Sequence, residues 1–458
     1  MVAKNIILGT LLLIAVLMRF IGGDIAILGY FVLACHAFFG RIQLIQSLAL
    51  LWFFSFIGGA IAPAVTGASI ARYITVGGAT ISLLLLNYQD RAFKSISLPV
   101  LATFLLGAFI FIHSMLFSEV LDVSLLKIIL WVSVMVVLLS AWKGLDYLER
   151  TRLERQLFGG LVVVMLVSLP LVITKIGYIN NGYGFQGILN QSQAFGITMV
   201  LLASWLIGRL FETVRYRWLN IILLGICLVL MIMSETRTAG FSLFLAALGV
   251  SIIFFFTKFS IKSTMRALAV MPIIIMIGYG MNDQLKTFIY KRNNAVNLVE
   301  MGVESRSILV IPMIANISEN PMSGIGFGVG SRPVDREWID RENIFGLPTS
   351  AAIEKGLMPV AVLEELGVPG LLVVFAWLWM TIRRAHRSGV TPFLVVSTLM
   401  FTNLGEAALF STGGMGLFFL ILIAWAATGR GYVLEGLAVK PNLRTVLMQQ
   451  RLLTSKVV

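Results

Sequence analysis

Apolar runs long enough to cross a bilayer follow one another almost without pause along this chain, and they set its architecture. A span needs about 20 apolar residues, within a range of about 17–25. By that measure about fourteen candidates occur: 5–21, 25–39, 42–60, 70–87, 96–117, 123–141, 157–176, 193–211, 217–235, 239–257, 265–281, 357–381, 391–409 and 413–428. The breaks at Gly22-Gly23-Asp24 and Gly40-Arg41 are tight, which sets a lower count of about twelve. The expected fold is all-α: a polytopic transmembrane helical bundle of about 12–14 spans with one large, partly helical outer loop. The expected division is a first bundle over 1–281, the loop over 282–356, further spans over 357–428 and a basic tail over 429–458.

Composition agrees with a membrane chain. Of its 458 residues 58% are hydrophobic and 12% charged, against about 25% charged in soluble domains. The formal charge of +13 is ordinary where inner loops collect Lys and Arg, so nucleic acid is not an expected partner. Cys35 and Cys227 lie inside apolar runs and read as packing residues. His36, His113 and His386 are scattered without metal-ligand spacing, so no metal site is expected. Lys4 followed by apolar 6–20 reads as a first span rather than a cleaved leader.

Lys and Arg give the orientation. Lys143, Arg150, Arg152 and Arg155 share a loop. Arg209, Arg215 and Arg217, then Lys258, Lys262 and Arg266, then Arg383, Arg384 and Arg387 fall in later loops on the same side. The positive-inside rule makes that side cytoplasmic. Both termini are then expected inside, and the charged stretch 282–355 outside. Within it, 283–292, 304–318 and 335–342 read as helical pieces, the second stopped by Asn320-Pro321. Asn320-Pro321-Met322-Ser323-Gly324-Ile325-Gly326-Phe327-Gly328 is turn-rich and suited to bring backbone amides close to a ligand.

Four outer-face positions carry candidate chemistry, because ionisable groups in or beside spans are costly. Ser234-Glu235-Thr236-Arg237-Thr238 joins two apolar runs. It reads either as a surface ion pair or as an Arg held at the rim to grip phosphate with its planar fork of donors. Glu304-Ser305-Arg306-Ser307 offers a second Arg, or simply a solvated helix start. The amides of Asn190, Gln191 and Gln193 suit a hydroxyl-rich ligand, or a polar re-entry turn. Glu354-Lys355 closes the loop, and Glu364-Glu365 follows inside the next span, with Glu406 near the outer end of a later one. These carboxylates suit pairing with Arg or general-base work. No P-loop, Rossmann fingerprint, HExxH or GxSxG motif occurs.

Taken in order, five pieces resemble the O-antigen ligase and polymerase superfamily, bacterial membrane glycosyltransferases of the C-type fold. They are Gly187-Ile188-Leu189-Asn190-Gln191-Ser192-Gln193, Thr236-Arg237-Thr238-Ala239-Gly240, Ser305-Arg306-Ser307, Asn320 to Gly328 with its Asn-Pro-x-x-Gly-x-Gly element, and Leu363-Glu364-Glu365-Leu366-Gly367-Val368-Pro369-Gly370. The resemblance covers roughly 180–410. It implies an undecaprenyl-pyrophosphate-linked glycan as donor, a glycan or lipid acceptor, the outer face of the inner membrane as the place, and neither metal nor nucleotide cofactor. It puts Arg237 and Arg306 on the pyrophosphate. It sets Asn190, Gln191, Gln193, Glu235, Gly324, Gly326, Lys355 and Glu365 around the substrate. Ligases of the family usually carry a His where this chain has Ile353-Glu354-Lys355, so Glu354 stands as the candidate base and a polymerase is favoured over a ligase. A chain-length regulator is a candidate partner. A lipid-linked glycan transporter is the reading of a different class; it calls for inverted repeats and midplane charge pairs.

Overall fold

The computed structural model describes residues 2–63, 65, 67–89, 97–178, 184–212, 216–257, 298–337 and 355–429. Among these the fold is all-α, and the only extended pairing is an isolated bridge between Ile57 and Leu189. The helices are α1 (Val2–Ile21), α2 (Gly23–Ala37), α3 (Arg41–Phe56), α4 (Ala68–Gln89), α5 (Leu98–Phe117), α6 (Leu121–Lys143) and α7 (Tyr147–Ser168). Two short 3₁₀ turns follow α7. Then come α8 (Ser192–Glu212), α9 (Arg217–Met233), α10 (Arg237–Thr257), α11 (Leu298–Glu319), α12 (Pro333–Glu337), α13 (Met358–Ser388), α14 (Val390–Thr402) and α15 (Gly414–Ala427).

Five helical stretches among the described residues are long and apolar enough to cross a membrane: Leu98–Phe117, Leu121–Lys143, Tyr147–Ile173, Ser192–Glu212 and Met358–Ser388. Shorter apolar helices of 10–17 residues fill most of the remaining expected positions. The expected span 265–281 and the expected helix 283–292 lie outside the described residues. Where 304–318 was expected to be helical, α11 starts earlier, at Leu298, and stops at Glu319 before Asn320-Pro321.

Two helices differ from their expected bounds for visible reasons. The seventh was expected from 157, with Arg150, Arg152 and Arg155 in a loop. Those arginines instead ride on α7. Asp146 accepts from the Glu149 amide at 2.7 Å, and the Glu149 carboxylate accepts from the Asp146 amide at 3.1 Å, a capping box that starts the helix early. The run 391–409 is helical only as far as Thr402. The chain then turns through 403–413 before α15.

α15 is apolar all round, and every residue from Met415 to Ala427 is buried. A helix of that pattern belongs at the centre of a bundle, and α3, α6, α13 and α14 all pack on it. Trp425 stacks on Trp205 of α8 with ring centroids 4.6 Å apart, and Trp52 of α3 stacks on Phe418 at 4.3 Å.

Each end of the bundle is tied by polar contacts. At one end Arg150 donates to the Trp425 carbonyl and stacks on the Trp142 ring. There too Glu212 accepts from the Thr391 amide and hydroxyl, capping α14 at 3.0 and 2.6 Å. At the other end the Gly58 amide donates to the Ile188 carbonyl at 2.8 Å and the Asn190 amide to the Phe56 carbonyl at 2.7 Å. Trp131 Nε1 donates to the Leu409 carbonyl at 3.1 Å, and the Met358 amide to the Asn403 carbonyl at 3.0 Å. The candidate site lies at this second end.

Central packing predicts an asymmetric response to two tryptophan truncations. Trp425→Ala removes the stacked ring and is expected to cost about 3–5 kcal/mol, lowering the thermal midpoint of the detergent-solubilised protein. Trp379→Ala, at a side chain 66% exposed, is expected to leave that midpoint unchanged.

Candidate functional site

The site is built on a kink in α13. Gly367 has φ 63 and ψ −172, outside helical geometry, and Pro369 follows two residues on. A regular helix would pair the Val368 amide with the Glu364 carbonyl and the residue-369 amide with the Glu365 carbonyl. Here the Val368 amide donates to the Pro321 carbonyl at 3.0 Å, and Pro369 has no amide to give. The two released carbonyls accept from the glycine-rich stretch. The Ile325 amide bonds Glu364 O and the Gly326 amide bonds Glu365 O, both at 3.0 Å. Both released carbonyls thus find a partner.

The side chains of the same two glutamates complete the dock. Glu364 is fully buried. Its Oε1 accepts from Asn316 Nδ2 of α11 at 2.7 Å, and its Oε2 from Ser331 Oγ at 2.9 Å and Lys355 Nζ at 2.7 Å. Glu365 Oε2 accepts from the Gly328 amide at 2.7 Å, and Glu365 Oε1 lies 3.2 Å from Lys355 Nζ. Lys355 is delivered by two consecutive left-handed residues, Gly356 (φ 61) and Leu357 (φ 43), which turn the chain sharply into α13. A left-handed Leu costs roughly 1–2 kcal/mol, and the buried ion pairs of Lys355 hold it there. Buried carboxylates matched this fully are anchors.

Three glycines let the stretch approach. A Cβ on Gly324 would sit 2.6 Å from the Glu365 backbone, one on Gly326 would sit 2.3 Å from Ser118 Oγ, and one on Gly328 would sit 2.4 Å from Lys127 Cδ. The amides expected to face a ligand are instead engaged within the protein: Gly324 N bonds Asn320 O at 2.9 Å, and those of Gly326 and Gly328 bond Glu365. The dock also reaches the turn between α5 and α6. There the Glu119 amide bonds the Ile325 carbonyl at 3.0 Å, and the Glu119 carboxylate pairs with Arg336 of α12.

Beside the dock opens a cleft of about 340 Å³. It gathers residues from far apart in sequence: Gln191 and Gln193 at the start of α8, Lys355 and Glu365 from the dock, Arg72 of α4, Lys127 of α6 and Glu406 from the turn before α15. The walls are apolar, including Val123, Leu126, Ala361 and Val362. Lys127 Nζ lies over the Phe327 ring at 4.6 Å and 3.8 Å from Glu365 Oε2. The arrangement offers cations for an anionic group and carboxamides for hydroxyls.

The expected residues fall into three sets. Gln191, Gln193, Lys355 and Glu365 meet in the cleft, and Gly324 and Gly326 lie beneath it in the dock. Arg237 opens α10 and does not line the cleft; neither does Glu235, the left-handed residue (φ 54) of the turn before it. That turn is pinned to the start of α8 by the Thr236 hydroxyl, which donates to the Ser192 carbonyl at 3.1 Å. Asn190 sits in the same entry segment, its amide bonded to Phe56. Arg306 lies on α11. Glu354 lies outside the described residues.

Arg72 and Lys127 were not among the expected residues. Each is a lone cation inside an otherwise apolar run, and the cost of such a charge in a span is the signal that points to it. No protein-family model matches the chain, and a search of the curated proteins finds no match.

Removing one member of the buried cluster is expected to be severe. Glu364→Ala takes the acceptor from Asn316 and Ser331, leaves the buried Lys355 ammonium with Glu365 alone, and should cost about 3–5 kcal/mol. The readouts are a lowered thermal midpoint and faster protease cleavage between Ser331 and Lys355; unchanged values for both would show that the cluster does not hold the dock.

Proposed function

We propose that the chain is a bacterial inner-membrane glycosyltransferase that polymerises undecaprenyl-pyrophosphate-linked repeat units on the periplasmic face. The observation that carries this reading is the cleft. It joins the Gln191–Gln193 segment, the Lys355 end of the large loop and the α13 motif at one end of an apolar bundle. Cations there suit the diphosphate of a lipid carrier whose chain stays in the bilayer, and the carboxamides suit sugar hydroxyls.

Orientation supports the same reading. Lys143, Arg150, Arg209, Arg217, Arg383, Arg384 and Arg387 sit at or near the helix ends opposite the cleft. The positive-inside rule reads that end as cytoplasmic and the cleft end as periplasmic.

In the proposed reaction an acceptor hydroxyl attacks the anomeric carbon of the donor sugar. The new carbon–oxygen bond forms as the bond to the diphosphate breaks, and the lipid diphosphate leaves. Glu354, next to Lys355, takes the hydroxyl proton. Arg237, from the turn tied to the start of α8, and Arg306 steady the charge that develops as the leaving group departs, while the cations of the cleft hold the bound diphosphate.

Replacing Arg237 by Ala is expected to lower polymerisation about 10²–10³-fold, with normal membrane insertion. The glycan profile of cells carrying the variant is the readout. Single repeats on the acceptor are expected; full-length polymer would end the role of Arg237. Finished chains left on the carrier lipid in a deletion strain would replace the polymerase reading with a ligase.

A further inference from the structure

We infer that Arg72 of α4 and Lys127 of α6 form the subsite for the diphosphate, with the first turn of α15 as its floor. This rests on the proposed transfer from a lipid diphosphate and adds residues outside the five sequence pieces that suggested it.

The two cations are built into the cleft by close approaches. Lys127 reaches it past Gly328, where any Cβ would meet its Cδ at 2.4 Å. Arg72 lies along Gly413, where a Cβ would meet its Nη1 at 2.3 Å. Both helices contribute to one wall, since α4 packs on α6.

Neither cation makes a hydrogen bond to protein among the described residues. Arg72 stacks against the Tyr73 ring, its centroid 5.4 Å away. Lys127 has the Phe327 ring and the Glu365 carboxylate, the latter at 3.8 Å, beyond hydrogen-bond length. The Lys127 side chain keeps 23% of its surface exposed. Lysine offers three donors and arginine five. Glu365 is meanwhile served at shorter range by Lys355 and the Gly328 amide. Both lysines line the cleft, but Lys355 is engaged at hydrogen-bond distance by both glutamates and Lys127 by neither.

The floor adds to the field. Gly414, Met415 and Gly416 open α15 and line the cleft. First-turn amides have no partner inside their own helix, and the helix dipole favours negative charge there. A diphosphate fits two cations and a helix start, and Val123, Leu126 and Leu130 give the cleft an apolar wall suited to a prenyl chain. Glu406 lines the same cleft and bears the opposite charge, so its neutralisation is expected to strengthen anion binding.

The test is binding of farnesyl diphosphate to the purified full-length protein in detergent, followed by calorimetry, with inorganic pyrophosphate and farnesol as companion probes. Wild type is expected to bind farnesyl diphosphate. Arg72→Gln and Lys127→Gln are each expected to raise its Kd about tenfold or more, while Glu406→Gln lowers it. Competition by pyrophosphate assigns the site to the headgroup, and binding of farnesol unaffected by the variants assigns the prenyl chain elsewhere on the wall; both outcomes support the subsite. Ligand-free melting curves monitor folding, and Arg72→Lys, which keeps the charge, is expected to retain part of the affinity if Arg72→Gln does not fold. Unchanged affinity in Lys127→Gln and in the folded Arg72 variant overturns the subsite. In that case loss of binding in Arg237→Ala would leave the proposed function standing with its diphosphate elsewhere. No binding of farnesyl diphosphate to wild type would overturn both.

Discussion

One broken turn of helix holds the candidate site together. The kink at Gly367 and Pro369 releases the carbonyls of Glu364 and Glu365, and released carbonyls in a buried place must be met. The glycine-rich stretch after α11 meets them through Ile325 and Gly326. Once it lies there, the two carboxylates are within reach of Asn316, the Gly328 amide, Ser331 and Lys355. A straight α13 would offer neither the main-chain acceptors nor the close approach. The Pro and Gly of one motif and the glycines of the other are therefore complementary halves of a single joint.

The joint also explains why two acidic residues sit within an apolar segment. An isolated carboxylate there would be too costly to keep charged. Glu364 has three hydrogen-bond donors and Glu365 has a main-chain amide and two ammonium groups around it. Their charge is spent on position. Arg72 on α4 and Lys127 on α6 are further cations that line the cleft.

Much of this was legible in the sequence. The apolar runs give the helices and their order because 3.6-residue geometry and bilayer thickness fix the length of a span. The stop of α11 before Asn320-Pro321 follows from the steric restriction that proline places on its predecessor. The early start of α7 was readable too, as Asp146 three residues before Glu149, but hydropathy alone passes over it because the first turns are charged. What could not be read was which amides stay open. Gly324, Gly326 and Gly328 look alike in sequence whether they face a ligand or another segment, and only the partners across the fold decide. Arg72 and Lys127 escaped for a related reason: a lone cation in an apolar run has no neighbouring motif to name its role.

Glu364 touches the chain on both sides of the stretch between Ser331 and Lys355, accepting from the first through its hydroxyl and from the second through its ammonium. In polymer terms one carboxylate closes that stretch into a ring, the task a disulfide performs in secreted proteins. Closing a ring restricts how far its middle can travel and keeps its local concentration high near the point of closure. The two ends of the stretch are thus held together whatever path lies between them.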